Sequence, residues 1–534
     1  MCSNSLLFCM DNRISILVAF MLSFHFRLAN SGSDYISICT QTPYPQLCNS
    51  LITTTIPQTT LDRNQFDLRD ISLRETLAHA QNAHKLISDM DLSSFDELGK
   101  SARADCLELY EDTIDQLNRS SGRGTAAVDA QTWLSAAIAN EQTCKNGFLD
   151  LKLFSQLKSF NLMLSADDFP KFLRNSLAIN KAMNVMRERR LFSDDRYFPD
   201  WVSAGDRKML AETPGGSIKA DIVVAGDGSG DYRTISEALA AAAKQRNGTK
   251  RFVVYVKRGV YKENVEVKKS MKNLMFVGDG IDATIVTGSK NVQDGSTTFR
   301  SATFAVSGDG FIARDMTFEN TAGAHKHQAV ALRSGSDFSI FYRCSFKGYQ
   351  DTLYVHSKRQ FYRDCDIYGT IDFIFGDAVA VLQNCNIYVR KPMPNQKNTV
   401  TAQGRSDPNE NTGIIIHNSH VRAFSDLRPV QDSYRSYLGR PWRKYSRTVF
   451  MKCTIEGLID PAGWLPWSGT FGLSTLYYGE YMNTGSGAST NARVKWPGFH
   501  VITSPDEAGK FSAGKFLTGE SWITAAGVPF TAGL

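Results

Sequence analysis

The chain has 534 residues, of which 42% are hydrophobic and 21% charged, and its formal net charge is +6 at pH 7. This composition excludes a disordered or fibrous chain, and the length indicates several domains of about 100–200 residues. Ten cysteines are too few for a small disulfide scaffold and lack the close spacing of a zinc site. The mild positive charge suits an acidic partner without requiring one.

The N-terminal segment, residues 1–30, has the pattern of a secretory signal peptide. Arg13 precedes a largely apolar run over residues 14–26, and small or polar residues follow at 29–32. The run is shorter than the roughly 20 apolar residues of a membrane span. We therefore expect a secreted, extracellular protein without a membrane anchor, in which the sequons at Asn118 and Asn247 serve as glycosylation acceptors.

Residues 31–190 are predicted to form an all-α bundle, because apolar residues recur there at helical spacing. The segment contains four cysteines, Cys39, Cys48, Cys106 and Cys144. In an oxidising compartment they are expected to form disulfides. Pairing the first with the second and the third with the fourth is the least strained of three possibilities, although the sequence alone does not decide between them.

Residues 191–217 form a predicted processing linker. Basic runs at 187–190 and 207–208 bracket a stretch that contains proline and glycine. A basic run is usually a solvated surface, but exposed linkers between domains are where proteases cut. We expect cleavage near Arg190 or Leu210.

Residues 218–534 have short β-rich segments separated by glycine turns, with one helical segment at 235–243. A polar–small–polar–apolar frame recurs, and two of its intervals are 21 and 20 residues, from Cys344 to Cys365 and on to Cys385. A β-rich repeat of this period predicts a right-handed parallel β-helix. Cys344 and Cys365 would lie on adjacent coils, as a disulfide or as two free thiols. The apolar positions of the frame are expected to stack inside the coils: Phe318, Phe346, Ile367, Ile387, Val421 and Ile455.

The same period brings polar residues together. Gln328 precedes Gln350 by 22 residues, and Asp351 precedes Asp372 by 21, so each pair should lie about 4.8 Å apart on neighbouring coils. Adjacent strand residues point to opposite faces, so Gln350 and Asp351 are expected at a bend. Repulsion between two carboxylates would keep one protonated and one ionised, as an acid and a nucleophile require. A polar ladder that merely faces solvent is the alternative.

Five segments of this half, in order, resemble the plant pectin methylesterase family. They read GVYKE at 259–263, QAVAL at 328–332, QDTL at 350–353, DFIFG at 372–376 and LGRPW at 438–442. The helical half resembles the invertase/pectin methylesterase inhibitor family through its four cysteines and the letters TPYP at 42–45.

The resemblance implies hydrolysis of the methyl esters of galacturonosyl residues in cell-wall pectin, without a cofactor or a metal. Asp372 matches the nucleophile and Asp351 the acid/base, while Gln350 and Gln328 would donate to the oxyanion. Arg440 should pair with Asp372. Thr298, Gln328, Arg440 and Trp442 match substrate-contact positions. Asp377 stands where asparagine is usual in the family, and its charge is expected to raise the pKa of Asp372.

Two alternatives remain at this point. One is a β-helix pectin depolymerase, either a lyase with a calcium site or a glycosidase with two spaced acids. The other is an inhibitor or wall-binding protein that acts through its helical half. In the preferred interpretation the helical half restrains the enzyme until cleavage, and the partners are methylated pectin, inhibitor proteins and a processing protease. The basic–aromatic pattern of nucleic-acid binders is absent from the sequence.

Overall fold

The computed structural model describes residues 37–55, 67–93, 95–122, 124–156, 158, 160, 168–190, 219–246 and 250–534. The predicted signal peptide, the linker over 191–217 and the sequon residue Asn247 lie outside the described residues. The other sequon residue, Asn118, lies exposed on a helix near its C-terminal end. No helix among these described ranges is both long enough and apolar enough to cross a membrane.

The N-terminal half is helical. Its long helices are α1 (Pro45–Thr55), α2 (Leu68–Ser88), α3 (Glu97–Ser120), α4 (Ala127–Asp150) and α5 (Phe169–Arg190). Carboxylate side chains begin α2 and α3, where Asp67 and Asp96 accept backbone N–H groups of the first turn. Both disulfides of the least strained pairing are present, Cys39–Cys48 and Cys106–Cys144, and the second joins α3 to α4.

The C-terminal half is a parallel β-helix built from three sheets. Sheet one contains β1 (Ile222–Val224), β2 (Phe252–Val256), β5 (Leu274–Val277), β8 (Ile312–Arg314), β11 (Ser339–Tyr342), β14 (Arg359–Arg363), β17 (Val379–Gln383), β20 (Gly413–His417), β23 (Arg447–Met451), β25 (Tyr477–Tyr481) and β26 (Phe499–Val501). Sheet two contains β4 (Val265–Val267), β7 (Phe304–Val306), β10 (Leu332–Ser334), β13 (Leu353–Val355), β16 (Ile374–Gly376), β19 (Asn398–Gln403) and β22 (Ser436–Gly439). Sheet three contains β3 (Gly259–Lys262), β6 (Thr284–Gly288), β9 (Thr317–Asn320), β12 (Ser345–Lys347), β15 (Asp366–Gly369), β18 (Asn386–Val389), β21 (His420–Ala423) and β24 (Thr454–Ile455).

The coil interior follows the predicted repeat. Phe346 is the register partner of Phe318 on one side and of Ile367 on the other, and the series continues to Ile387, Val421 and Ile455. All six side chains are fully buried in one core. The predicted stacking of these positions is therefore confirmed.

The first residue of the repeated frame forms the corner between sheets one and three. This residue has φ between 49° and 59° in every copy, at Asp315, Arg343, Asp364, Asn384, Asn418 and Lys452. Aspartate and asparagine tolerate this left-handed conformation better than most residues. Asp or Asn, present at four of these six corners, is thus a signature of the corner.

The proposed bridge between Cys344 and Cys365 is not formed, and both cysteines are free and buried. In-register stacking points their Cβ atoms in the same direction rather than toward each other, which disfavours a disulfide. Each thiol instead donates to a backbone carbonyl, of Ala313 and Phe341 respectively. Free Cys385 and Cys453 occupy the same place on later coils.

Helix α6 (Ile235–Gln245) packs its apolar face on the first coils, and Thr234 and Glu237 form a capping box at its start. The short helices α7 (Pro505–Gly509), α8 (Ala513–Phe516) and α9 (Ile523–Ala526) follow the last strand, and their buried residues pack on the outer face of sheet one. The outer face of sheet two is left for the helical half.

The helical half docks on that face of sheet two. One hydrophobic cluster joins bundle residues such as Leu134 and Phe148 to the outward-facing Tyr354, Phe375 and Ala402. Polar contacts extend along α4: the indole N–H of Trp133 donates to Asp337 Oδ2 at 2.9 Å. Helix α4 therefore runs across the coils that carry the predicted catalytic residues.

Candidate active site

A cleft of about 410 Å³ lies between sheet two and the C-terminal part of α4. The residues that line it come from both halves of the chain: Thr143, Asn146, Gly147, Leu149, Asp150, Thr298, Phe299, Gln328, Gln350, Asp351, Tyr354, Asp372, Phe375, Ala402, Arg440, Trp442, Arg443 and Trp467. All seven side chains predicted from the sequence for catalysis or substrate contact are among them.

Asp372 lies at a bend just before β16, with φ of 51°. Arg440 Nε donates to its Oδ1 at 2.8 Å and Arg440 Nη2 donates to its Oδ2 at 2.6 Å. The hydroxyl of Thr399, one coil away, donates to Oδ1 at 2.6 Å. Paired N–H donors of a guanidinium fix the plane of a carboxylate, so Asp372 is held in one orientation.

Asp351 occupies the equivalent place before β13, also in the left-handed region at φ 63°. This is the bend expected for the Gln350–Asp351 pair. The carboxyl is 8% exposed, and burial, then the charges of Asp372 and Asp150, raise its pKa well above the usual value, against the opposing effect of Arg440. A carboxyl with a raised pKa retains its proton where an ordinary aspartate has lost it.

Gln328 and Gln350 are paired across adjacent coils by an isolated parallel bridge. The amide N–H of Ala329 donates to the carbonyl of Gln350 at 3.2 Å, which fixes the register of the two segments. Both side chains are half-buried and reach the cleft. The cleft thus has two carboxamides beside its two carboxylates.

Aromatic side chains surround these polar groups. Trp442 packs on Phe375 with ring centroids 6.0 Å apart, and the rings of Phe375 and Tyr354 stack at 4.2 Å. Arg440 lies over the ring of Trp467, 4.4 Å from its centroid, and the indole is 37% exposed. Flat apolar faces next to hydrogen-bonding groups are typical of sites that bind small polar rings.

Helix α4 closes the cleft from the other side. Asp150, its last residue, accepts a hydrogen bond at 2.9 Å from the backbone N–H of Thr298. Asn146 Oδ1 accepts from Arg443 Nη2 at 2.6 Å. The Thr143 hydroxyl lies 3.2 Å from the hydroxyl of Tyr354. The backbone N–H of Thr298, a predicted substrate contact, is therefore already bonded to a carboxylate of the same chain.

Sequence reasoning missed several residues that line the cleft or position its side chains. Thr399 is fully buried and positions Asp372, but it lies 27 residues away on a longer coil and carries no motif. Tyr354 and Phe375 each follow a predicted aspartate by three residues, a regularity that would have placed them on the same face. Trp467 and the α4 residues lie outside the periodic segments, and no local pattern connects them to the cleft.

Asp377 lies beyond β16 in a separate buried cluster. Its Oδ1 accepts from Gln403 Nε2 at 2.9 Å and from the Thr412 hydroxyl at 2.5 Å. Burial raises the pKa of Asp377, and the neighbours that act on it are Glu410, Thr412, Arg405 and Gln403. Its contacts are with this cluster, and its expected influence on Asp372 stays a prediction.

Comparisons with known proteins cover both halves. The family described as Pectinesterase matches residues 221–520, and the family described as Plant invertase/pectin methylesterase inhibitor matches residues 35–179. Probable pectinesterase/pectinesterase inhibitor 6 of Arabidopsis thaliana is 53% identical in an alignment 540 positions long, gaps included, which covers 95% of this chain and 95% of that one. Pectinesterase 2 of Citrus sinensis is 53% identical over 520 residues, covering 97% of this chain and 98% of its own.

A solved structure titled pectin methylesterase from carrot is 60% identical, with a TM-score of 0.59, and covers 60% of this chain and 100% of that one. The share of this chain that it covers agrees with the length of the β-helix half. With a family match over more than half of the sequence and relatives that align over nearly all of it, this chain belongs to the pectinesterase family.

Proposed function

We propose that this chain is the precursor of a secreted cell-wall pectinesterase, which hydrolyses galacturonosyl methyl esters through Asp372 and Asp351. The single observation that carries the catalytic assignment is the cleft itself, where a carboxylate clamped by Arg440 lies beside a second carboxyl with a raised pKa and two carboxamides. Membership of the pectinesterase family supplies the reaction class, a carboxylic-ester hydrolysis.

In the first half of the reaction, an oxygen of Asp372 attacks the carbonyl carbon of the ester. The carbonyl oxygen becomes an oxyanion, which Gln328 and Gln350 stabilise by donating N–H groups. Collapse of this intermediate breaks the bond to methoxide, and Asp351 donates its proton, so that methanol leaves. The product at this stage is an acyl-enzyme in which Asp372 is joined to the galacturonosyl carbonyl as an anhydride.

In the second half, Asp351 is a carboxylate and accepts a proton from water as the water oxygen attacks the anhydride carbonyl. The bond to Asp372 breaks, which restores the nucleophile and leaves a galacturonic acid, whose carboxyl group then loses its proton to the solvent. The raised pKa of Asp351 supports its role as the acid of the first half. Arg440 keeps Asp372 oriented through both halves.

The helical half is proposed to keep this site closed until it is removed. Its residues Asn146 and Asp150 occupy the cleft wall that a polymer would need to pass, and they engage Arg443 and Thr298. A processing protease that cuts within the linker over 191–217 would release the block. The same proposal includes secretion directed by the signal peptide and glycosylation at Asn118, which is exposed. It also includes inhibitor proteins, with the same fold as the helical half, as partners of the mature enzyme.

The decisive test is methanol release from methylated pectin by the enzyme secreted from cells that express the full chain. We expect Asp372→Ala to lower the rate by about 10⁴-fold or more, because the covalent step loses its nucleophile, while the unfolding temperature remains close to that of the parent. Asp506→Ala, which removes an exposed carboxylate at the start of α7, is the matched control. Full activity of the Asp372→Ala enzyme would refute the assignment.

The length of the polymer distinguishes the proposal from the alternative enzymes. An esterase leaves the chain length unchanged while carboxylates accumulate, whereas a lyase or a glycosidase shortens the chain. Size-exclusion chromatography of the treated pectin measures this directly. The inhibitor alternative is tested by adding the Asp372→Ala chain to other pectin methylesterases, because an inhibitor would lower their rates.

A further inference from the structure

The second residue of β19, Thr399, makes two hydrogen bonds to the proposed nucleophile. Ile374 on β16 is the register partner of Thr401 on β19, and the same offset of 27 residues places Thr399 beside Asp372. The backbone N–H of Asp372 donates to Thr399 Oγ1 at 2.9 Å, and the Thr399 hydroxyl lies 2.6 Å from Asp372 Oδ1. Thr399 is fully buried, so bulk water does not compete for either contact.

These two contacts fix the direction of the hydroxyl proton. A threonine hydroxyl has one proton to donate and lone pairs with which to accept. Because the N–H of Asp372 can only donate, the hydroxyl oxygen accepts there. Its proton then points at Oδ1, since an ionised carboxylate can only accept. Thr399 therefore connects the backbone of Asp372 to its own side chain and limits the rotation of that side chain.

The two carboxylate oxygens of Asp372 have different surroundings. Oδ1 accepts the Thr399 proton and the Nε–H of Arg440 at 2.8 Å, so both of its lone pairs are engaged. Oδ2 accepts from Arg440 Nη2 at 2.6 Å, while Nε lies 3.2 Å away. Among the residues that the structure describes, no other donor reaches Oδ2. Oδ2 thus keeps a lone pair that is available for attack.

We propose that Thr399 is a positioning residue that makes Oδ2 the attacking oxygen and stabilises the Asp372 carboxylate as the leaving group of the second half of the reaction. This role rests on the proposed pectinesterase function, in which Asp372 is the nucleophile. Arg440 by itself fixes the plane of the carboxylate. The particular contribution of Thr399 is a second donor on Oδ1, the oxygen that does not attack.

In the first half of the reaction, the Oδ2 lone pair forms a bond to the ester carbon, and the bond from that carbon to the methoxy oxygen breaks. The methoxy oxygen takes the proton of Asp351 and leaves as methanol. Oδ2 becomes the bridging oxygen of the anhydride, and Oδ1 becomes its carbonyl oxygen. Asp372 has lost its negative charge, so the hydrogen bond from Thr399 to Oδ1 becomes weaker.

The second half of the reaction returns this charge. Water attacks the galacturonosyl carbon and gives one proton to Asp351, and the bond from that carbon to Oδ2 breaks. The electron pair of the broken bond returns to the Asp372 carboxylate and is shared by Oδ1, where the Thr399 proton is already in place. An interaction that strengthens as charge develops lowers the barrier to that step. Thr399 should therefore speed the loss of the acyl group and not its formation.

The kinetics of Thr399→Val separate the two halves of the reaction, because valine has nearly the shape of threonine and lacks the hydroxyl. The processed enzyme is purified from the medium of cells that express the full chain, and methanol release from methylated pectin is followed. We expect kcat to fall about 10- to 100-fold, the effect of one hydrogen bond to a charged group. We expect kcat/KM to stay unchanged, because it depends only on the steps up to the departure of methanol. Rapid quenching should show an initial burst of about one methanol per enzyme molecule.

Three further variants separate the hydroxyl from the packing. Thr399→Ser keeps the hydroxyl and should restore kcat. Thr399→Cys keeps a weak donor and should show the valine pattern to a smaller extent, which decides the matter if the valine variant is not secreted. Thr448→Val is the matched control and should change neither constant. Thr448 is equally buried, on β23, and within the described ranges its hydroxyl has no hydrogen-bond partner.

Equal losses in kcat and kcat/KM for Thr399→Val would overturn the role of Thr399, because they would show a general distortion of the site. An unchanged kcat, the absence of a methanol burst or a failure of serine to restore kcat would also overturn it. In each of these cases the parent enzyme still releases methanol, and the proposed function stands. A parent enzyme that releases no methanol would refute the proposed function, and the role of Thr399 with it.

Discussion

The arrangement around Asp372 depends on one guanidinium. Arg440 reaches Asp372 from the loop after β22, 68 residues later in the chain, and two of its nitrogens contact the carboxylate. A third contact comes from Thr399. In the proposed mechanism this carboxylate is the nucleophile. A nucleophile must approach the ester carbonyl along a narrow range of directions, so its orientation would matter as much as its presence.

Replacing Arg440 with lysine tests the orientation. The variant Arg440→Lys keeps the positive charge but loses the planar fork, and we expect kcat to fall by about 10- to 100-fold, as for the loss of one charge-assisted hydrogen bond. Arg435→Lys, at an exposed arginine on the same segment, should leave kcat unchanged. Initial-rate kinetics of methanol release measure both, and an unchanged kcat for Arg440→Lys would contradict the orienting role.

The ionisation of Asp150 is expected to make the stability of the uncleaved chain depend on pH. Burial raises the pKa of Asp150 above its ordinary value of 3.8, against the hydrogen bond from Thr298. A carboxyl with a raised folded-state pKa stabilises the fold below its ordinary pKa, and that stabilisation is lost as the pH rises through the raised value. Asp150→Asn cannot ionise and can still accept from Thr298.

We therefore expect the uncleaved Asp150→Asn chain to gain stability relative to the parent as the pH rises from 4 to 7. Urea unfolding at each pH measures the gain. Glu97→Gln, which changes a carboxylate at an exposed position of α3, should show no such trend. A difference between Asp150→Asn and the parent that is the same at both pH values would contradict the assignment.

At the scale of elements, the pair α3 and α4 forms the part of the bundle that touches the β-helix. The disulfide Cys106–Cys144 joins the two helices across 38 residues of sequence, whereas Cys39–Cys48 closes only 9. In the chain-entropy view, a cross-link stabilises more when it closes a longer loop. Cys106–Cys144 should therefore stabilise the helices that cover the cleft more than Cys39–Cys48 does.

Replacing both cysteines of each bridge with serine tests this order. We expect loss of Cys106–Cys144 to lower the free energy of unfolding of the bundle by about 4 kcal/mol and loss of Cys39–Cys48 by about 2.5 kcal/mol. Urea unfolding of the full chain, followed by circular dichroism at the helical band, measures both. The prediction is wrong if the shorter bridge proves the more stabilising one.

At the scale of the whole molecule, the two halves meet in a close contact at Gly147. A Cβ added to Gly147 would lie 3.4 Å from Thr297 Cγ2 and 3.7 Å from Asp105 Oδ2, which is ordinary van der Waals contact for one methyl group. A longer side chain would collide with the β-helix or with α3. This glycine therefore allows α4 to approach the strand ends that carry the cleft.

Gly147→Leu is expected to separate the halves and to raise methanol release by the uncleaved chain toward that of the processed enzyme. Gly147→Ala, whose single methyl group fits, should leave the uncleaved chain as inactive as the parent. Circular dichroism checks that the helices persist in both variants, and the assay is run with the linker intact. An uncleaved parent that is already fully active would contradict the blocking role of the bundle.

The sequence by itself determined the coil architecture, because every coil repeats the same local requirement. An apolar residue must point inward, and a residue with positive φ, most often Asp or Asn, forms the corner. Phe346 and Ile367, or Asp364 and Asn384, therefore mark neighbouring coils in the sequence. The spacing of Gln350, Asp351 and Asp372 follows the same period, which is why the sequence alone predicts that these side chains lie close together.

Only the tertiary structure decided which groups meet across the two halves. The contact of Asp150 with Thr298 joins residues 148 positions apart, and that of Asp105 with Arg300 joins residues 195 positions apart. Neither contact is therefore predicted by the period of the coils or by a local sequence motif. The same holds for the free thiols, whose state depends on the direction of their Cβ atoms. Local periodicity encodes the coil, whereas docking of the two halves is encoded only in complementary surfaces.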